Sequence, residues 1–215
     1  YENGGDEART AQIGEKLSLY TGLPVPVLES FAFKLPAAEV FSAMLLADQG
    51  LDLGIYDARM TLQKNNSIGL ADPAGDDPGM GVYTPAIVGA MNGPFKEKMG
   101  ITFNRRYIYQ DYGINGSWDW SYPETVVEQI PRRTHMQCLA AAMRRNEKMH
   151  TLFATGSFDL CTWTGTNKYL AENSELPAER VTVAEYPSGH MAFADFEACE
   201  KLAADISALI LQSLA

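Results

Sequence analysis

Apolar and polar positions recur with a helical period in two stretches near the start of the chain. In residues 6–20 the apolar positions Ala8, Ala11, Ile13, Leu17 and Tyr20 lie near helical spacing, acidic residues open the run, and Gly22-Leu23-Pro24 stops it. A second helix is predicted from Ala37 to Gln49, with Pro36 at its first turn, Gly50 beyond its end, and Val40, Phe41, Met44 and Leu45 as its apolar face. A proline-rich connection at Pro24 to Pro26 joins the two. Gly54 to Thr61 reads as a short turn or strand, and Lys64 to Gly81, rich in Asn, Gly, Asp and Pro, as a loop. Pro85 to Met99 predicts a helix broken or kinked at Pro94. Ile101 to Asp111 predicts a strand, and Asn115 to Trp120 a turn flanked by bulky aromatic residues.

The pattern tightens after Glu124. Val126 to Asn146 predicts helix in its second half, ending in basic residues that suit a helix C-terminus. Thr151 to Thr155 is a short apolar strand of the buried type, Cys161 to Asn173 a helix, and Arg180 to Tyr186 a second strand. Phe196 to Leu214 is a terminal helix with Leu202, Ile206, Leu209 and Ile210 on one stripe. Strand, helix, strand, helix with short links is the signature of a parallel sheet, so the fold class is α/β. Two such strands need neighbours on both sides. Residues 1–120 offer mainly helices and loops, so the sheet is expected to be completed by a segment outside this chain.

Composition narrows the function classes. The chain has 215 residues, 46% of them hydrophobic, enough for a real core in one or two domains. A net charge of −10 and a pI of about 4.7 argue against a nucleic-acid or anionic-membrane partner. No apolar run approaches the ~20 residues of a membrane span, and no signal-peptide pattern is visible. The first residue is Tyr1, so the expectation is a processed product, a subunit cut from a precursor, or a truncated form. Three cysteines, Cys138, Cys161 and Cys199, have no metal-ligand spacing and allow one disulfide with one thiol, or three thiols. The three histidines also lack metal-ligand spacing, so no metal site is expected. Asn65-Asn66-Ser67 and Asn115-Gly116-Ser117 are formal glycosylation sequons, relevant only to a protein secreted by a eukaryote.

The chemistry concentrates at the ends of the two C-terminal strands. His190 sits in Pro187-Ser188-Gly189-His190-Met191, where Gly189 allows a sharp turn and an imidazole can take up and return a hydroxyl proton. Asp159 ends Gly156-Ser157-Phe158-Asp159 after the preceding strand, placed to orient the imidazole and stabilise its protonated form; alone it would read as a helix N-cap. An acid and then a histidine after successive strands is the order of the last two triad members in an α/β-hydrolase. The nucleophile should be a serine in Gly-x-Ser-x-Gly, and no such pentapeptide occurs. Ser117, Ser157 and Ser188 lack its flanking glycine pair, Cys161 reads as a small buried cysteine, and His135 and His150 read as surface or structural residues.

These segments resemble the C-terminal end of a serine carboxypeptidase of the S10 type. That family carries an apolar strand, a Gly-x-x-Asp turn with the catalytic Asp, and a later Gly-His-Met with the catalytic His, similar here to Gly156 to Asp159 and Gly189-His190-Met191. Cys161-Thr162-Trp163-Thr164-Gly165 is similar to the segment just past the catalytic Asp in several members. Tyr20 to Leu23, Gly54 to Thr61 and Trp118-Asp119-Trp120 resemble segments of bacterial S10-like members. The resemblance implies an α/β-hydrolase with a mostly helical cap, residues 1–125 being largely cap and 126–215 the end of the catalytic core. It implies release of C-terminal residues from peptides, with His190 as general base, Asp159 as its orienting partner, Met191 bordering the leaving-residue pocket, and no cofactor. A partner chain or segment would bring Gly-x-Ser-x-Gly, and this chain alone would be inactive. It implies a secreted, periplasmic, or lysosome- or vacuole-like location. The competing readings are a non-catalytic fragment or binding module, and another acyl-hydrolase or acyltransferase with the same triad.

Overall fold

A computed structural model describes residues 7–64, 77–109, 111–118 and 134–214. The fold is mixed α/β, with two separate two-stranded sheets among these residues. The chain divides into two compact units, Tyr1–Gly81 and Val82–Ala215. The boundary expected between residues 125 and 126 lies outside the described residues, as do the sequon at Asn65, Asp119-Trp120 and the first part of the Val126–Asn146 segment.

The first unit begins with helix α1 (Glu7–Thr21). It ends where Gly22 adopts a left-handed φ of 75° and donates its amide to the Ser18 carbonyl at 2.9 Å, a conformation that glycine reaches without a steric penalty. The proline-rich connection is itself a short helix, α2 (Val25–Ser30). Its prolines stand at the start, where a helix has no use for the amide hydrogens they lack. Helix α3 (Ala38–Leu45) is shorter than predicted; a 3-10 turn, Ala47–Gln49, comes after it and before Gly50. Its expected apolar face is only partly covered, Val40 being 41% exposed, and the most buried position is Ser42, whose hydroxyl donates to the Leu53 carbonyl. Leu23, Leu28 and Leu53 form the buried apolar residues here.

Strands β1 (Leu51–Leu53) and β2 (Thr61–Gln63) pair antiparallel, with Asp52 opposite Leu62. The turn between them is held by buried Asp57, whose carboxylate accepts the Arg59 amide at 3.1 Å, its Nε at 2.9 Å and its Nη2 at 2.7 Å. Asp77 accepts the Ile55 amide at 2.6 Å and the Gly79 and Met80 amides at 2.8 and 3.0 Å, so it ties this turn to the start of α4 (Pro78–Asn92). The predicted helix therefore starts earlier than Pro85, and it breaks at Gly93 before α5 (Pro94–Lys98), as expected of the proline.

No strand forms between Ile101 and Asp111 among the described residues. A strand needs a partner for its backbone groups. Here the Tyr107 amide donates to Asn92 Oδ1 at 2.8 Å and the Arg105 carbonyl accepts Lys96 Nζ at 3.1 Å, so side chains of α4 and α5 take the place of a neighbouring strand. The predicted turn at Asn115 is instead part of a helix, α6 (Tyr112–Ser117).

The C-terminal pattern is realised closely. Helix α7 (His135–Arg145) opens with a reciprocal cap: Thr134 Oγ1 accepts the Gln137 amide at 3.2 Å and Gln137 Oε1 accepts the Thr134 amide at 2.8 Å. At its other end the Arg180 guanidinium donates to the Met143 and Asn146 carbonyls, both at 3.0 Å. Strands β3 (Thr151–Gly156) and β4 (Val181–Tyr186) are parallel, from Thr151 opposite Val181 to Gly156 opposite Tyr186. Helix α8 (Thr164–Glu172) is the crossover, starting later than Cys161, and both α8 and α9 (Phe196–Leu214) pack on the strand pair. Ala140, Met143 and Leu176 form a small core, with Phe153 and Val181 packed against it. The strands are only half-buried, Ala154 being exposed, and the apolar stripe of α9 is uncovered at Ile206 (42% exposed) and Ile210 (52%).

Candidate active site

The ends of β3 and β4 are stitched together by backbone hydrogen bonds. The Ser157 amide donates to the Tyr186 carbonyl at 2.8 Å, and the Phe158 amide to the Ser188 carbonyl at 3.0 Å. Gly156 makes this approach possible, because a β-carbon there would collide with the Ser188 and Gly189 carbonyl groups. The loops carrying Asp159 and His190 are thereby held side by side, though the two residues are 31 positions apart in sequence.

Asp159 is buried and His190 is partly exposed, with side chains 2% and 39% accessible. The imidazole Nδ1 lies 2.8 Å from Asp159 Oδ2. Asp159 also accepts the Cys161 amide at 2.7 Å, the Thr162 amide at 3.2 Å and the Thr162 hydroxyl. Burial pushes the carboxyl pKa up, but the hydrogen bonds from His190, Thr162 and the Cys161 amide outweigh it and hold Asp159 below the usual carboxylate value. The hydrogen bond to Asp159 raises the His190 pKa, burial opposes it, and the negative charge adds to the rise. An ionised carboxylate only accepts, so Nδ1 carries the proton and the basic lone pair falls on Nε2. This is the geometry of an imidazole oriented for proton transfer.

Asp159 does not cap α8, whose N-cap is Trp163 with no side-chain hydrogen bond; one of its oxygens holds the turn before that helix and the other faces His190. The contribution of Thr162 is not visible in the sequence. Its place three residues after an Asp is the pattern of a hydroxyl folding back on a turn carboxylate, but that pattern is common and points to no function. Met191, next to His190, is half-buried, and its carbonyl accepts the Ala194 amide at 2.9 Å. Ser157 Oγ donates to Glu185 at 2.8 Å and to the Tyr186 carbonyl at 3.1 Å, Ser188 Oγ to the Gly189 carbonyl, and Ser117 Oγ to the Gly113 carbonyl at 2.8 Å within α6. His150 contacts the Lys148 carbonyl and Ser213, and His135 is exposed on α7.

All three cysteines are thiols rather than disulfide partners. Cys161 is exposed rather than buried, because α8 begins only at Thr164 and leaves it on the turn that Asp159 holds. One ligand atom each from Asp159, Cys161 and His190 lies within 4.8 Å of the other two, so these three residues could hold a metal ion. No protein-family model matches the chain, and no curated protein and no solved structure matches it.

Proposed function

We propose that this chain supplies the acid–base half of a serine hydrolase triad of the carboxypeptidase type. The observation that carries the reading is the buried Asp159 carboxylate accepting from His190 Nδ1 across the ends of adjacent parallel strands. In this reading His190 Nε2 takes the proton of a serine hydroxyl as that oxygen attacks the peptide carbonyl, then returns it to the leaving amine. Asp159 keeps the imidazole in the correct tautomer and stabilises its protonated form. The serine, in Gly-x-Ser-x-Gly, belongs to a segment outside these residues that also extends the sheet. Half-buried strands and the exposed Ile206, Ile210, Leu211 and Leu214 on α9 support such a segment, since they are the surfaces an α/β-hydrolase core would cover. The helices of the first unit would belong to a cap, and Met191 would border the pocket for the leaving residue.

The test is intact-mass analysis, under denaturing conditions, of the complete protein after reaction with a fluorophosphonate. The expected result is one label on a serine of a polypeptide segment other than this 23.6 kDa chain. His190→Ala should abolish labelling and lower turnover by roughly 10⁴–10⁶-fold. Labelling that survives His190→Ala, or no labelled serine at all, overturns the triad. Release of single C-terminal residues from peptides supports the carboxypeptidase assignment, and turnover of esters alone replaces it with another acyl-hydrolase.

A further inference from the structure

Asp159 does more than face His190. Its Oδ1 accepts the Cys161 amide at 2.7 Å, which fixes the backbone of Cys161 beside the carboxylate. The turn therefore presents a thiol next to a carboxylate, and the β4 loop brings an imidazole to the same place, with ligand atoms of all three residues within 4.8 Å of one another. A tetrahedral zinc ion needs ligand atoms roughly 3.3–3.8 Å apart, given bonds of about 2.0–2.3 Å. Asp159 is buried while Cys161 and His190 are exposed, so the adjustment falls on the two exposed side chains.

We propose that Asp159, Cys161 and His190 form a chelating site for a thiophilic divalent cation of the zinc class. The donor set selects the metal: sulfur with imidazole nitrogen suits zinc, cadmium or cobalt, whereas magnesium and calcium require oxygen ligands throughout. Three protein ligands leave a fourth position to water. Three hydrogen bonds from Cys161 and Thr162 in its own turn keep the carboxylate in place when the fourth, from His190, gives way to the metal. Binding itself is independent of the hydrolase reading. Where that reading also holds, the consequence is inhibition, because a metal-bound imidazole nitrogen has no lone pair for a proton and the Asp159–His190 pair is drawn into the metal's shell. The sequence hid this site, since only Asp159 and Cys161 are neighbours and the histidine arrives through the fold.

The test uses the reduced chain and zinc sulfate, titrated in competition with a chromogenic chelator, with cobalt as a spectroscopic substitute. The expected result is one zinc per chain and a thiolate-to-cobalt charge-transfer band. Cys161→Ser should abolish the band and weaken zinc by more than about 100-fold, beyond the about 10–100-fold that changes outside the ligand set cost. Cys138→Ser and Cys199→Ser should leave both unchanged. On the unsubstituted chain, zinc should slow alkylation of Cys161 by iodoacetamide, read by peptide mass, and leave Cys138 unaffected. Zinc binding that is as tight in Cys161→Ser, or a Cys161 that alkylates equally fast with and without zinc, overturns the site.

Discussion

Single side chains decide the electrostatics of the candidate site. The lowered pKa of Asp159 and the raised pKa of His190 have a common cause, the hydrogen bond between them, with Thr162 and two amides adding to the first. A depressed carboxyl contributes stability above its unfolded value and loses it as the pH falls through the folded one. A raised histidine contributes below its unfolded value, about 6.5, and loses it as the pH rises through the folded one. The charged pair therefore stabilises the fold in the window between those limits, largest from about pH 4 to 6.5. In an NMR titration the His190 midpoint should lie above the ordinary histidine value and fall in Asp159→Asn. An unchanged midpoint would mean that the two groups do not interact in solution. Asp159 was legible in the sequence through its Gly-x-x-Asp turn, and His190 through Gly-His-Met. The partnership with Thr162 was not, because a hydroxyl shortly after an Asp is too common to carry information.

At the scale of elements, helices and strands with strong periodicity were the readable ones. The terminal helix spans Phe196–Leu214 as the apolar stripe requires, and β3 and β4 are parallel as strand–helix–strand order requires. Ile101 to Asp111 misled because alternation is a property of a segment, whereas a strand is a property of a pair. Pro24 to Pro26 misled because prolines that end a helix can also begin one. The joint between β3 and the His190 loop rests on Gly156. Gly156→Ala would force those backbones apart, and we expect it to weaken the chain by about 1–3 kcal/mol and to lengthen the Asp159–His190 contact. Thermal unfolding and the His190 NMR shift check this together. A substituted chain with unchanged stability and unchanged shift would show that the close approach is not maintained in solution.

Over the whole molecule, burial is uneven. Met143 is fully buried beneath β3, while Ile210 on α9 is half-exposed. Met143→Ala should therefore cost about 2–5 kcal/mol, and Ile210→Ser within about 0.5 kcal/mol, in denaturant unfolding of this chain. A large cost at Ile210 would mean that its face is already covered, by another copy or by the rest of the chain, and would remove one support for an added sheet segment. Among the described residues no helix is long and apolar enough to cross a membrane.

By itself the sequence determined the α/β class, the parallel order of the last two strands and the positions of Asp159 and His190, because periodicity, turn chemistry and short links are local and survive in one dimension. Only the tertiary structure decided which groups meet. The Gly156 approach, the Thr162 hydroxyl on Asp159 and the placing of Cys161 beside His190 all depend on two loops brought together across a strand pair. No spacing along the chain encodes that distance, since it is set by strand register and by how closely two backbones can pass.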